Sequence, residues 1–236
     1  MKNSLLIFFL LALFPVGAQE TTREIEVRTL CFGYSSGLKK LSLAGDKEGA
    51  SQVDVELKKY LNNSQQPLTI VGDKVLVGEL GNETLEFWET VKIAKPMKEV
   101  LLVFFPLNDP KKPYRVMAVD DSSKSFPLES YLFANMSPNA LRFVVGDSPL
   151  EVKPGEFKLL SDFKNVKSNG QVSYYAYYQK GKEWKRLSSG FWDVVPRKRN
   201  FQIAFGNPKT KNVELRGYED SFPVLKELLR KQQQAR

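Results

Sequence analysis

Short runs in which apolar and polar residues alternate recur along most of the chain. Residues 24–30 (Glu-Ile-Glu-Val-Arg-Thr-Leu) show the pattern over most of their length. Two-residue alternation is the period of a half-buried β-strand. Comparable strand-like runs follow at 52–57, 68–71, 74–77, 84–93, 100–105, 114–119, 131–135, 141–145, 156–160, 172–178, 182–187, 200–205 and 211–218. They are short, and Gly, Pro, Asn and Asp separate them. Many short strands at this spacing predict sandwiches or barrels, with no strand–helix–strand alternation. Near the C-terminus the period changes. Ser221 stands at an N-cap position with Pro223 in the first turn, and Phe222, Leu225, Leu228 and Leu229 share one helical face. A short amphipathic helix is predicted there, docked on its own domain.

The first 18 residues break the pattern. Lys2 precedes an apolar run over 5–14, and Val16 and Ala18 place compact residues at the −3 and −1 sites of a cleavage point. This is the order of a signal peptide, cut to leave Gln19 first. The run is too short for a spanning helix, which needs about 20 apolar residues. No later segment is long and apolar enough to cross a bilayer, so the expectation is an exported chain without a transmembrane segment, periplasmic or extracellular. Cys31 is the only cysteine, so no internal disulfide is available. Disulfide-free export points to a bacterial envelope protein.

Charge divides the rest. Residues 19–122 hold 14 basic and 16 acidic side chains, net −2, and residues 123–236 hold 20 and 11, net +9. The polar segment 120–125 (Asp-Asp-Ser-Ser-Lys-Ser) lies where the balance flips. The reading is a signal peptide at 1–18, a first sandwich at 19–122, a second, separable sandwich at 123–219, and a helix with tail at 220–236. An internal echo joins Ile70-Val71-Gly72-Asp73 to Val144-Val145-Gly146-Asp147. Two related sandwiches explain it, and so does chance similarity of two hairpins.

The absence of histidine excludes Ser-His-Asp triads and Cys-His pairs and removes the commonest metal ligand. The segment 33–37 fits G-x-S-x-G, but without a base it reads as a Gly/Ser turn. Ser36-Gly37-Leu38-Lys39 and Ser161-Asp162-Phe163-Lys164 fit S-x-x-K without its companion motifs. There is no phosphate loop, dinucleotide fingerprint or calcium loop. No catalytic residue, metal or cofactor is expected. The enzymatic alternative is a hydrolase or transferase that acts on glycans with carboxylates alone.

Two features of the second half stand out. In 172–178, alternation puts Val172, Tyr174, Ala176 and Tyr178 on one face, the better core candidate. Tyr175 and Tyr177 fall on the other, with Trp184, Phe191 and Trp192 following. Around them lie Lys180, Lys182, Lys185, Arg186, Arg197, Lys198 and Arg199. Exposed aromatics stack on sugar rings or bury at interfaces, and clustered cations attract anions. The candidate binding residues are Tyr175, Tyr177, Lys182, Trp184, Lys185, Arg186, Arg197, Lys198 and Arg199. The compartment makes an anionic glycan, lipid headgroups or an acidic envelope protein the expected partners, and not nucleic acid. The bland alternative is a solvated sheet whose lysines guard an edge.

Residues 131–137 (Tyr-Leu-Phe-Ala-Asn-Met-Ser), 141–150 and Lys153-Pro154-Gly155-Glu156 carry a local resemblance. The segment resembles a pattern in uncharacterised exported bacterial β-sandwich proteins, in which a strand ending near Asn-x-Ser precedes a hairpin and a Pro-Gly turn. The resemblance covers 131–156 and implies an immunoglobulin-like fold with no activity. The expectation is an all-β chain: two immunoglobulin-like sandwiches in tandem, then the helix. Its expected role is a non-catalytic binding or assembly module of the envelope.

Overall fold

The structure, a computed structural model, describes residues 21–48, 51–80, 85–107, 109–207 and 210–234. The signal-peptide reading of 1–18 lies outside them. The first unit contains β1 (Thr22–Cys31), β2 (Lys40–Ala44), β3 (Gln52–Glu56), β4 (Gln66–Val71), β5 (Lys74–Leu80), β6 (Leu85–Lys92), β7 (Glu99–Pro106) and β8 (Tyr114–Asp120). The second contains β9 (Tyr131–Met136), β10 (Leu141–Val145), β11 (Ser148–Val152), β12 (Phe157–Leu160), β13 (Gln171–Lys180), β14 (Glu183–Asp193), β15 (Arg199–Gly206) and β16 (Val213–Asp220). The helix α1 (Phe222–Gln234) ends the chain's described part. The fold is all-β, two sandwich units and one short C-terminal helix.

Both units use one strand order. Sheet 1 is β4-β1-β7-β8 and sheet 2 is β3-β2-β5-β6; sheet 3 is β12-β9-β15-β16 and sheet 4 is β11-β10-β13-β14. Adding eight to each strand of the first unit gives the second. The pairs β1·β7 and β9·β15 are parallel, and the other pairs are antiparallel. Within the sandwich class this order differs from the A-B-E-D and C-F-G sheets of an immunoglobulin domain. The echo in the sequence does not mark the repeat. It aligns the end of β4 with the end of β10, whereas β4 corresponds to β12. Gly72 and Gly146 share a positive φ, so the likeness is one of turn chemistry.

Alternation assigns each strand face to a layer. In β7, Val100, Leu102 and Phe104 enter the core between sheets 1 and 2, while Leu101 and Val103 point the other way. In β9, Tyr131 and Phe133 enter the core between sheets 3 and 4, while Leu132 and Ala134 point back. Those outward faces meet, together with Leu30, Phe32, Phe201, Ile203 and Tyr218, in a third apolar core that joins the units. The layer order is therefore sheets 2, 1, 3, 4. Strands buried on both faces read as continuous apolar runs, which is why 100–105 carries no polar residue.

At one end of this junction lies a buried charge cluster. Arg28 of β1 donates from Nε and Nη2 to Asp121, at 2.5 and 2.8 Å, from both Nη atoms to Asp220, and from Nη1 to the carbonyl of Leu61 at 2.6 Å. Arg199 of β15 donates to Asp220 at 2.8 Å, to the Asp121 carboxylate at 2.6 Å, and to the carbonyls of Asp121 and Phe126. All four side chains are at most 1% exposed. Asp121 and Asp220 each follow or end the last strand of a unit, so equivalent aspartates from the two halves share the same two arginines. The segment after β8 is thus no loose linker. Asp121 is locked in the cluster and Phe126 in the junction core.

The helix departs from expectation. The Ser221 hydroxyl donates to Asn62 Oδ1, and the Phe222 N–H is held by Asp220 Oδ1. Phe222 packs under Arg28, 4.8 Å from guanidinium carbon to ring centre. The rest of the apolar face is uncovered, with Leu225, Leu228 and Leu229 44%, 53% and 57% exposed.

Candidate binding surface of the second sandwich

Sheet 4 is an outer layer, so one of its faces meets solvent. On β13, Val172 and Ala176 are buried, and Tyr174 and Tyr178 pack against the core of the second sandwich. Tyr175 points away and is 45% exposed. The register shift between Ala176 and Tyr177 leaves Leu187 of β14 as the extra residue, and it turns inward against the core. Beyond the bulge, Tyr177 lies between Arg142 on β10 and Arg186 on β14.

This outer face gathers aromatics and cations. The Arg142 guanidinium lies 4.2 Å over the Trp184 ring and binds Glu151 on the neighbouring strand. Phe191, 52% exposed, has the Lys167 ammonium 3.8 Å from its ring centre. Each such contact contributes about 0.5–1 kcal/mol at an exposed site. Arg142 and Lys167 are not among the sequence candidates. The alternation of Leu141, Phe143 and Val145 inward is the signal that puts Arg142 outward.

The other candidates scatter. Lys182 is exposed in the β13–β14 turn beside Gly181, and Lys185 forms an exposed ion pair with Glu183. Arg197 is exposed in the loop before β15 with φ at 83°. Lys198 donates to Glu219 at 2.7 Å, and that hydrogen bond raises its pKa. Arg199 is corrected outright. It is 1% exposed and belongs to the junction cluster, because it begins a strand buried on both faces. Trp192 is not a contact residue either. It is stacked between Tyr131 and Tyr174, with ring centres at 4.9 and 3.9 Å.

The buried Asp220 carboxylate is held as an anion. Burial alone would raise the Asp220 pKa, but the hydrogen bond from Arg28 and the charges of Arg28 and Arg199 reverse this and lower it. Burial likewise works against the Arg28 charge, and Asp121 and Asp220 overcome it and raise that pKa. Arg28 donates and Asp220 accepts, and together they brace the junction. Among the described residues no group of three or more His, Cys, Asp or Glu could hold a metal ion.

No family model matches the chain, and no curated protein does. Among solved structures, the pair of C2 domains of extended synaptotagmin 2 aligns over 93% of this chain and 97% of its own, at 9% identity and a TM-score of 0.23. A likeness this loose transfers neither topology nor function.

Proposed function

We propose that the chain is an exported binding or assembly module of the cell envelope, and that the outer face of sheet 4 is its contact surface for an anionic component. The observation that carries this reading is the juxtaposition of Tyr175, Phe191 and Tyr177 with Arg142 and Arg186 on one solvent-facing sheet, and with Lys167 from the loop before β13 over the Phe191 ring. Acidic glycan, lipid headgroups and acidic protein share the chemistry that such a face selects. Long-range attraction is screened beyond roughly 8 Å at physiological salt, so the rings have to supply affinity that salt does not remove.

Retention on dextran sulfate and on vesicles with anionic headgroups tests the reading and separates its sources. Changing Arg142, Lys167 and Arg186 to Ser should weaken retention mainly at low salt. Changing Tyr175 and Phe191 to Ser should weaken it at every salt concentration. Wild-type retention by both folded variants would reduce the face to an ordinary solvated sheet. Export has its own check: the N-terminus of the released product should read Gln19.

A further inference from the structure

The second sandwich opens at one side, between its edge strands β14 and β16. The opening is a cleft of about 460 Å³ lined by Tyr174, Leu187, Ser188 and Trp192 from sheet 4, and by Gln202, Glu214, Leu215 and Gly217 from sheet 3. The same side of the first sandwich is closed. There Trp88 and Tyr114 meet with ring centres 6.1 Å apart, and Lys112 bridges to Glu89 at 2.8 Å.

A difference between the two repeats makes room inside the cleft. Three residues before the aspartate shared with the junction, the first unit has Ala118 opposite Leu102, both in its apolar core. The second unit has Gly217 opposite Gln202 at the same place. Gln202 is 7% exposed, and the part of it that stays open lines the cleft. A Cβ on Gly217 would lie 2.8–3.2 Å from the Gln202 amide atoms, so the glycine leaves the space the amide occupies. Nearby, the Tyr174 and Ser188 hydroxyls pair at 2.8 Å, and Glu214 accepts from Asn207 at 2.6 Å. Among the described residues no lysine or arginine lines the cleft.

We propose that this cleft is a saccharide site, taking one or two rings of a neutral glycan. Gln202 offers donors and an acceptor to adjacent ring hydroxyls, Glu214 and Ser188 add further partners, and Leu187, Leu215 and Tyr174 face the C–H surface of the sugar. The volume lies within the usual range for small-molecule pockets, about 300–1,000 Å³. The acidic lining disfavours an anionic ligand, so this site is distinct from the basic face of sheet 4.

Ligand-observed NMR saturation transfer with maltose, cellobiose and chitobiose tests the proposal on the chain from Gln19 to Arg236. At least one disaccharide should bind within about 10 mM, the weak range for a single small site. Gln202→Leu, which copies the first sandwich, should reduce affinity by at least about tenfold, the scale of one such hydrogen bond. Gly217→Ala displaces only the tip of the Gln202 side chain, so it should keep the fold and weaken binding as well. The Tyr175→Ser/Phe191→Ser variant should bind the sugar normally, which separates this site from the proposed anionic surface. No response from any disaccharide at that concentration would overturn the proposal. So would wild-type affinity in Gln202→Leu or Gly217→Ala, or binding of a Thr-Val repeat peptide in place of sugar, which would mark the two edges as a strand-docking site.

Discussion

Arg28 is the residue on which the two halves converge. Its hydrogen bonds reach both aspartates and the Leu61 carbonyl, and none of the four charged groups has water to fall back on. Removing one partner from a buried ion cluster costs about 3–5 kcal/mol, because the remaining charges stay buried. Arg28→Ala should therefore lower the urea midpoint by an amount equivalent to about that range. A loss under about 1 kcal/mol would mean that the junction relaxes to hydrate the aspartates. Acid should act through the same group. The folded pKa of Asp220 is lowered, so its contribution is present above the unfolded value of about 3.9 and is lost as pH falls through the folded value. Asp220→Asn should flatten that part of a stability–pH curve measured between pH 6 and about 2.5. The cluster is hidden in the sequence for a physical reason. Arg197-Lys198-Arg199 reads as a basic patch, and only the alternation of a strand buried on both faces turns Arg199 inward while Lys198 stays outside.

At the scale of elements, strand positions are legible in the sequence and their partners are not. Each alternating run is a strand, because in a sandwich burial on one face is a local property of a segment. Two five-residue strands, β2 and β11, fall outside those runs. β2 has Ser42 buried on its polar side, where it bonds Asp54, and this blurs its alternation. The aromatic face of β13 is readable from Val172 and Ala176 alone. The cleft is not, since it depends on Gln202 and Gly217 meeting across two strands. For the helix, amphipathicity is legible but docking is not: Phe222 anchors it and the leucines beyond stay in solvent. Leu225→Ser, Leu228→Ser and Leu229→Ser should each change stability by no more than about 0.5 kcal/mol. Phe222→Ala should cost about 3 kcal/mol, by loss of a buried ring and of its contact with Arg28. Thermal unfolding of the four variants distinguishes an anchored helix from one packed along its length.

At the scale of the molecule, the composition of 120–125 suggests that the second half stands alone, and the junction argues against it. A fragment of residues 123–236 keeps sheets 3 and 4 and their shared core, so its secondary structure should form. It loses Leu30, Leu101, Val103 and Val119, which cover the back of sheet 3. Leu132, Ala134, Phe201, Ile203 and Tyr218 would then form a contiguous apolar face in water, the kind of patch that drives association. It also loses Arg28 and Asp121, leaving Arg199 and Asp220 as a bare pair at the edge of that face. The Arg216 guanidinium, now 4.0 Å over Phe32 and bonded to its carbonyl, would lose both contacts. The expected outcome is a fragment with the circular dichroism of β-sheet that binds a hydrophobic dye, self-associates and unfolds at lower urea than the chain from Gln19 to Arg236. That longer chain should show a single transition by fluorescence and circular dichroism together, because a core and four buried charges couple its halves. Two separate transitions, one matching a monomeric, dye-silent fragment, would show that the junction core and the ion cluster add little to the stability of either sandwich.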